Sequence, residues 1–510
     1  MNKGILIIDF GSQYTQLIAR RIREMHVYCE VIPCTESFDG REVEAIILSG
    51  GPASVLGEDS PDFDVNWLSQ NKPILGICYG MQLLAKLGGG TLRQSKQREY
   101  GKSLLCIESQ DPLFGDEIPV ESQVWMSHGD DVVEVPDDWN IIAKSQDGVI
   151  AAISNLQKKQ WGVQFHPEVT HTQYGENIIR QFLFDCCKLE ANWSMASFVE
   201  TQVAYIKEKV GSEHVICAMS GGVDSAVTAA ILHQAIGSQL HCVFVDNGVL
   251  RAGERDAVER EFSELQLNVV DASQIFLERL ADVTEPEKKR KIIGHAFIEI
   301  FEAEARRLKS EGIEIRWLAQ GTLYPDVIES ISVRGPAAVI KSHHNVGGLP
   351  PDMSFKLIEP LRELFKDEVR QVGLELGLSS NRVFRQPFPG PGLAVRILGE
   401  VTADRVALLQ AADKIFDQEI REAGLYRKLW QSFVVFLPVK SVGVMGDSRS
   451  YEWTVVLRAV HSSDGMTADI AHLPWELLER TSTRIINEVK GINRVAYDIS
   501  SKPPGTIEWE

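Results

Sequence analysis

Short apolar runs alternate with amphipathic stretches over the first part of the chain. The runs ILIIDF, AIILSG, PILGIC and KQWGVQFHP have the length of buried strands, whereas TQLIARRIREM and GMQLLAKLG show helical spacing. Strands that alternate with helices predict α/β architecture with a mainly parallel sheet. The pattern continues to about Cys187, so we expect a first domain over residues 1–190.

A second α/β pattern follows a short polar segment. HVICAMS predicts a strand that ends at a Gly-Gly pair, VDSAVTAAILHQAIG predicts a helix, and LHCVFVDNG predicts the next strand. Thr284 and Glu287 have capping-box spacing and predict a long helix that ends near Leu308. RWLAQGTLYPD predicts a strand followed by a loop. The stretch 326–351, rich in Gly, Pro, Ser and His, predicts a functional loop or lid. We expect this second domain over residues 191–385.

The run QPFPGPGLAVR interrupts the regular pattern with proline and glycine, and it opens a third domain over residues 386–510. A helical pattern from Ala403 to Ala423 precedes β-rich segments such as FVVFLPV and WTVVLRAV, which predicts α+β architecture. The predicted fold class is therefore α/β, with two doubly wound parallel-sheet domains followed by a C-terminal α+β domain.

Composition and charge exclude several classes of protein. The chain has 510 residues and is 44% apolar, as in ordinary soluble proteins, and its length suggests about three domains. Its formal net charge of −19 argues against a nucleic-acid binder and means that local donors must hold any anionic substrate. Because no apolar run reaches the ~18 residues of a membrane span, we expect no membrane partner. The eight scattered cysteines include no C-x-x-C pair, which favours a reducing, cytoplasmic location.

One cysteine occupies a position typical of a nucleophile. In PILGICYGMQLLA, Cys78 ends an apolar strand and precedes a helix, with Gly76 and Gly80 on either side. The glycines permit the sharp turn of a nucleophile elbow, and the helix N-terminus offers N–H groups and a positive dipole end that favour a thiolate. The alternative is a buried structural cysteine, which is the usual state of a lone cysteine.

Two further segments carry the groups that such a nucleophile needs. In VQFHPEV, Pro167 favours extended backbone at His166, so His166 and Glu168 project to the same side of the chain. Glu168 can then orient the imidazole while His166 takes the thiol proton. In LSGGPASV, Gly50 and Gly51 follow a strand and can present N–H groups to an oxyanion. Taken alone, these segments are equally compatible with a surface loop and a tight turn.

Together these segments resemble the class I glutamine amidotransferases, over about residues 3–190. The resemblance implies a flavodoxin-like domain in which a cysteine attacks the glutamine side-chain amide, forming a glutamyl thioester and free ammonia. It assigns the nucleophile, the base and the orienting carboxylate to Cys78, His166 and Glu168. The oxyanion and glutamine-binding residues that it implies are Gly51, Tyr79, Gln82, His128 and Asp130.

A second glycine-rich turn joins a strand to a helix in AMSGGVDSAV. Gly221 and Gly222 allow close approach of the backbone, the helix N-terminus offers N–H donors to an anion, and Ser220 and Ser225 add hydroxyl groups. The alternative is a generic strand-helix turn, which two glycines would satisfy but which does not need the whole SGGVDS string.

The SGGVDS string resembles the phosphate loop of the N-type ATP pyrophosphatases, which release pyrophosphate and transfer AMP to an oxygen atom. The resemblance implies an adenine nucleotide alpha hydrolase-like domain that binds ATP with Mg²⁺ and needs no organic prosthetic group. The implied ATP-binding residues are Ser220, Gly221, Gly222, Val223, Asp224, Ser225, Ala226, Val245 and Asp246.

Segments of all three domains, GTLYPDVIES, IKSHHNVGGLP, RQPFPGPGLAVR and SKPPGTIEWE among them, resemble the glutamine-hydrolysing GMP synthetase family. The resemblance implies ATP-dependent adenylylation of XMP, then amination to GMP, and a homodimer formed through the third domain. It implies that the XMP-binding or lid residues are Asp326, which is also a candidate Mg²⁺ ligand, Glu329, Arg334, Lys341, His343, His344, Lys502, Thr506, Ile507 and Glu508. Taken without the family, the acidic pair and the two histidines would be solvated surface groups. The alternatives are an enzyme of the same type acting on another carbonyl substrate, and a non-catalytic protein on the same scaffold.

Overall fold

The protein is described by a computed structural model. The residues that it describes are 4–330, 355–445, 448–462, 465 and 467–510. They form two compact units, residues 4–198 with 323–330, and residues 199–322 with 355–510. Each unit has its own sheets and its own apolar core.

The first unit is built on one nine-stranded sheet in the order β2-β1-β3-β4-β9-β8-β7-β5-β6. Its strands are β1 Ile5–Asp9, β2 Cys29–Pro33, β3 Ala45–Leu48, β4 Ile74–Ile77, β5 Thr91–Ile107, β6 Glu121–Glu134, β7 Asn140–Ser145, β8 Ile150–Asn155 and β9 Gln160–Val163. Its helices are α1 Thr15–Glu24, α2 Tyr79–Leu87 and α3 Gly175–Arg180, and α4 Met195–Val210 leads out of it.

The sheet has a parallel half and an antiparallel half. Strands β2, β1, β3, β4 and β9 run parallel, as the continuous apolar runs predict, and the middle ones are buried on both faces. From β9 onward every pairing is antiparallel. The predicted strands are confirmed, whereas the hairpin β5–β6 and strands β7 and β8 were not predicted.

The second unit contains a five-stranded parallel sheet in the order β12-β11-β10-β13-β14. Its strands are β10 His214–Met219, β11 Leu240–Asp246, β12 Leu267–Asp271, β13 Ile315–Ala319 and β14 Lys356–Ile358. The helices along this part of the chain are α5 Val223–Ile236, α6 Glu254–Glu261, α7 Ser273–Leu280, α8 Pro286–Ser310, α9 Tyr324–Ser330, α10 Lys366–Glu375 and α11 Ser380–Val383. From β10 the chain adds β11 and β12 on one side, and then β13 and β14 on the other side. The strand order therefore reverses between β10 and β13. Ligands of α/β proteins bind at such a point.

Two local expectations are wrong. Helix α8 starts at Pro286 with Glu285 as its N-cap and has no side-chain cap, so Thr284 does not form the expected capping box. Proline at the first helical position is already preorganised, which makes the cap dispensable. The expected loop or lid 326–351 begins with residues of helix α9, and its remainder from residue 331 lies outside the described residues.

The last part of the chain adds a four-stranded sheet to the second unit. Its elements are α12 Ala403–Glu422, β15 Gln431–Met445, β16 Ser448–His461, β17 Asp469–Ile470, α13 Trp475–Glu488 and β18 Ile492–Tyr497. One apolar cluster includes Ile216 and Val243 of the parallel sheet together with Phe436 and Leu457 of this one. The α/β and α+β architecture is thus confirmed, while the boundaries near 190 and 385 stay predictions. Among the described residues, no helix has the length and apolar character needed to cross a membrane.

Candidate active site

Cys78 lies at a strained elbow between β4 and α2. Its φ is +52°, a left-handed conformation that is uncommon outside glycine. A Cβ atom at Gly76 would lie 2.5 Å from the backbone of Gly80, and one at Gly80 would lie 2.4 Å from Leu48 O. Only glycine therefore allows the turn to close this tightly. The Cys78 N–H donates to Val163 O at 2.7 Å, which ties the elbow to the end of β9.

His166 and Glu168 follow β9 and form a buried pair. His166 Nδ1 lies 2.7 Å from Glu168 Oε1, and the hydroxyl of Thr172 donates to His166 O at 2.6 Å. A Cβ atom added at Gly50 would lie 3.1 Å from His166 Cε1 and 3.7 Å from Cys78 Cβ, so the imidazole and the cysteine both lie beside this glycine. The structure therefore brings the three predicted triad residues together.

The charge state of His166 reflects these neighbours. Burial lowers the pKa of His166, but the charge of Glu168 and the hydrogen bond to Cys78 outweigh burial and raise the pKa to about 10. A protonated imidazole between a carboxylate and a sulfur atom favours the thiolate form of a cysteine.

The predicted oxyanion residues lie against each other beside the elbow. Tyr79 is the first residue of α2, and a Cβ atom at Gly51 would lie 3.4 Å from its ring and 2.9 Å from Phe10 O. Position 51 thus has no room for a side chain on that side. The placement is compatible with the roles predicted for the N–H groups of Gly51 and Tyr79.

The predicted glutamine-pocket residues are buried and share one network. Gln82 Nε2 donates to Asp130 O at 2.8 Å, and the Asp130 carboxylate accepts a hydrogen bond from Ser54 Oγ at 2.5 Å. His128 lies in the same strand, but its ring nitrogens contact Glu99 Oε2 at 3.3 Å and Asp130 O at 3.2 Å. Its part in binding glutamine stays a prediction.

Gln164 is a residue of this site that sequence reasoning missed. It is fully buried just after β9, and its Nε2 lies 3.6 Å from Cys78 Sγ. The signal was present in VQFHPEV, because residues two apart on an extended chain share a face and Gln164 precedes His166 by two.

The predicted phosphate loop joins β10 to α5. Gly221 has φ +73°, and the hydroxyl groups of Ser220 and Ser225 lie 3.1 Å apart. The N–H groups of Ser220 and Gly222 donate to these hydroxyls. Helix α5 begins at Val223, with Asp224 in its first turn and Ala226 buried behind the loop. The loop therefore places two hydroxyl groups and the first turn of helix α5 at the point where the strand order reverses.

Three cations that the sequence did not predict surround this loop. Lys366 Nζ lies 2.6 Å from an oxygen atom of Asp224. Arg382 and Arg385 each donate to the carbonyl oxygen of Gly221, at 2.6 and 2.7 Å. They follow the loop by more than 140 positions, so no local motif could reveal them.

The two residues expected to border the adenosine end β11, the strand next to β10. Val245 is buried, and the carboxylate of Asp246 accepts a hydrogen bond from Gly248 N at 3.0 Å. The carboxyl ends of neighbouring parallel strands meet at one edge of a sheet, so both residues lie on the side of the phosphate loop.

The final segment of the sequence is fixed to the rest of the second unit. Glu508 forms two hydrogen bonds with the buried Arg396, at 2.9 and 2.8 Å, and accepts a third from Gln431 at 2.7 Å. Arg458 donates to the carbonyl oxygen atoms of Thr506 and Ile507. Further along the same segment, Lys502 Nζ donates to Gly465 O at 2.8 Å. The structure thus holds each of these predicted residues in place, while their role in binding XMP stays a prediction.

Two of the remaining predicted residues belong to α9. Asp326 accepts a hydrogen bond from Leu323 N at 3.2 Å in the first turn of the helix, and Glu329 follows in the same helix. The other four lie outside the described residues: Arg334, Lys341, His343 and His344. Within the described ranges, no group of three or more His, Cys, Asp or Glu side chains could hold a metal ion.

Three family models match successive parts of the chain. Residues 6–186 match the class-I glutamine amidotransferases, residues 213–276 match the HUP domain of tRNA methyl transferases, and residues 418–509 match the GMP synthase C-terminal domain. The first match covers the cysteine site and the second covers the phosphate loop.

Curated relatives match the chain over nearly its whole length. Proteins named GMP synthase [glutamine-hydrolyzing] from Fusobacterium nucleatum and Brachyspira hyodysenteriae are 55% and 56% identical to it, and each alignment covers 99% of both chains. A protein of the same name from Syntrophomonas wolfei is 53% identical over 100% of both chains. Such identity over the full length sets the family.

Proposed function

The chain belongs to the glutamine-hydrolysing GMP synthases, and we propose that the residues described above carry out the two half-reactions of that activity. The enzyme adenylylates XMP with ATP and aminates the product with ammonia from glutamine, which gives GMP, AMP, pyrophosphate and glutamate. The observation that carries the residue assignment is the buried pair His166–Glu168 beside the elbow cysteine, in one chain with the SGGVDS loop.

Cys78, His166 and Glu168 carry out the glutaminase half-reaction. Glu168 occupies Nδ1 of His166, which leaves Nε2 to take the thiol proton. The sulfur attacks the side-chain carbonyl carbon of glutamine, and the N–H groups of Gly51 and Tyr79 stabilise the oxyanion. The C–N bond then breaks as His166 returns the proton to nitrogen, releasing ammonia. Water, activated by the same imidazole, hydrolyses the thioester to glutamate and regenerates the thiol.

The phosphate loop binds ATP for the second half-reaction. The N–H and hydroxyl groups between Ser220 and Ser225 hold the β- and γ-phosphates, and Lys366 adds a positive charge beside them. An oxygen atom of XMP attacks the α-phosphorus, and the bond to pyrophosphate breaks. Ammonia then attacks the activated carbon and displaces AMP.

Mg²⁺ fits the chemistry of this loop. Asp224 supplies a carboxylate there, and Mg²⁺ prefers carboxylate and phosphate oxygen ligands. When bound, the ion neutralises charge on the phosphates of ATP. Asp326 is the second candidate ligand, and its contact with a backbone N–H leaves oxygen lone pairs available.

The final segment of the second unit supplies groups proposed for XMP. Lys502 offers a charge for the phosphate, while Glu508 is held in a fixed orientation by Arg396. Thr506 and Ile507 lie between them in sequence and are held by Arg458. Glu329, Arg334, Lys341 and the two histidines 343 and 344 complete the proposed set.

We also propose a homodimer through the C-terminal sheet. Val442, Val444 and Tyr451 are 60%, 76% and 64% exposed on the β15–β16 hairpin. Val442 pairs directly with Tyr451, and Val444 lies two residues along the same strand, so the three side chains share one face. A contiguous apolar face of this kind is typical of an interface.

All eight cysteines are free, which supports a reducing compartment such as the cytoplasm.

A coupled product assay tests these assignments. The enzyme is mixed with ATP, Mg²⁺, glutamine and XMP, and the nucleotides are separated by chromatography. We expect GMP and AMP in equal amounts and only when XMP is present. In Cys78→Ala, glutamine-driven synthesis should be lost while synthesis driven by an ammonium salt continues. Glutamine-driven GMP formation by Cys78→Ala would overturn the assignment of the nucleophile, and AMP formed only with another acceptor would overturn XMP.

A further inference from the structure

Besides its hydrogen bond with His166, Cys78 Sγ has two polar partners of opposite character. It lies 3.6 Å from the carbonyl oxygen of Ser127, which can only accept, and 3.6 Å from Nε2 of Gln164, which can only donate. The carbonyl favours the neutral thiol, because a thiol can donate to it and a thiolate cannot. The amide favours the thiolate, because a hydrogen bond to the charged form stabilises that form.

The orientation of the Gln164 amide follows from its neighbours. The carbonyl oxygen of Asp130 is 2.8 Å from the side chain of Gln82 and can only accept, so the nitrogen of Gln82 must face it. The same nitrogen lies 3.2 Å from the side chain of Gln164, so the oxygen of Gln164 must face Gln82. The nitrogen of Gln164 therefore points at Cys78 Sγ.

Water cannot replace this donor. Gln164 is fully buried, and Gln82 and Cys78 are 4% and 5% exposed. A buried charge that loses a hydrogen-bond donor is left poorly solvated, which raises the free energy of the charged form. The donor therefore matters most at the moment when the sulfur becomes negative.

We propose that Gln164 is a catalytic residue of the glutaminase reaction: its Nε2–H stabilises the Cys78 thiolate after His166 has taken the proton. Gln82 holds Gln164 in the donating orientation and is a positioning residue for it. No bond other than a hydrogen bond changes at Gln164, and the attack and the proton transfers run as described above. The inference rests on the proposed function, since it requires Cys78 to be the nucleophile.

Two variants of Gln164 separate this role from a structural one. Gln164→Leu removes the donor and fills a similar volume. Gln164→Glu keeps the shape and still accepts from Gln82, but it places a negative charge beside the sulfur. If Gln164 only supports the fold, the Glu variant should be the milder of the two. If it stabilises a thiolate, the Glu variant should be the more severe.

The experiment measures two properties of the full-length enzyme with ATP, Mg²⁺ and XMP. The first is the rate of iodoacetamide alkylation of Cys78 against pH, and the second is glutamine-driven GMP synthesis. For Gln164→Leu we expect the alkylation midpoint to rise by about one pH unit and kcat/KM for glutamine to fall ~10-fold. Gln164→Glu should exceed both changes. Urea unfolding of the first unit reports whether each variant is folded, and Gln160→Leu, at a half-buried residue of the adjoining strand β9, is the matched control.

Each outcome either supports or overturns the proposed role of Gln164. An unchanged alkylation profile in both variants overturns the proposal, as does a Glu variant that is more active with glutamine than the Leu variant. Should Gln164→Leu fail to fold, the alkylation profile of the isosteric Gln164→Glu decides alone. Failure of the proposed function gives a different result, because glutamine-driven synthesis would then survive in Cys78→Ala.

Discussion

The charge on His166 links the stability of the first unit to pH. Its pKa of about 10 lies above the usual 6.5, because Glu168 and Cys78 outweigh burial. A raised pKa means that protonation stabilises the folded state; this contribution is fully present below about pH 6.5 and is lost as the pH rises through about 10.

We predict that Glu168→Gln removes this contribution. Burial is then opposed by Cys78 alone, so the pKa of His166 should fall. The urea midpoint of the variant should fall at neutral pH, by the equivalent of roughly 1–3 kcal/mol, and should approach that of the parent near pH 10. Glutamine-driven synthesis should fall on the order of 100-fold. Glu176→Gln, an exposed residue of α3, is the control; a deficit that grows with pH would contradict the prediction.

The site residues that could be predicted from the sequence are those whose placement depends on local spacing. Cys78, His166 and Glu168 could be found because a turn and a two-residue offset place their side chains. Gln164 carries the same offset from His166, but its contact with the sulfur depends on the pairing of β4 with β9, which brings Cys78 beside Val163. Sequence spacing does not give that pairing.

The phosphate loop is an element whose shape is held from elsewhere in the chain. Arg382 and Arg385 both donate to the Gly221 carbonyl oxygen, and their counter-ions are Glu261 and Glu254 at 2.6 and 2.7 Å. Fixing this carbonyl fixes the orientation of the next peptide N–H, that of Gly222. We therefore regard Arg382 as a positioning residue for ATP.

We predict that Arg382→Ala raises the KM for ATP about 10-fold, the loss expected for a hydrogen bond from a charged donor. The KM for XMP should stay within twofold, and Arg382→Lys should restore part of the loss. The measurement is ammonium-driven GMP synthesis, which bypasses glutamine. Arg427→Ala serves as the control, because Arg427 is exposed and donates a hydrogen bond to Ser380, which lies in the same helix as Arg382. Equal changes in both KM values would show a general loss of structure instead.

At the element scale, long periodic segments were predicted well and irregular ones were not. Helix α12 was expected from Ala403 to Ala423 and spans Ala403–Glu422, because its apolar spacing is regular. The antiparallel strands β5 to β8 were missed; the long strands β5 and β6 carry many polar residues, which weakens a strand signal. Helix α9 has a proline at its second position, and for this reason its segment was predicted as a loop.

The whole chain carries a net charge of −19, yet its binding loops are lined by cations. The composition argued against a nucleic-acid binder, which stays a prediction, but it could not show where anions bind, because burial of Arg382, Arg396 and Arg458 depends on long-range packing. The three-domain organisation predicted from punctuation in the sequence stays a prediction, and the described residues form two compact units. The sequence did not predict the shared apolar core of the two sheets in the second unit, since its members come from distant segments.

The proposed dimer forms through the exposed face of the β15–β16 hairpin. Val442, Val444 and Tyr451 expose one apolar face of a hairpin whose other parts pack on the core. Exposing such a face to water in a monomer is unfavourable, and covering it with a second copy removes that cost. We predict that the double variant Val442→Asp/Val444→Asp shifts the protein to monomer in sedimentation velocity and raises the dimer dissociation constant at least ~100-fold, because each carboxylate would be buried without a partner. Val120→Asp, an equally exposed position of the first unit, should leave the sedimentation unchanged. A double variant that sediments like its parent would show that this face is not the interface.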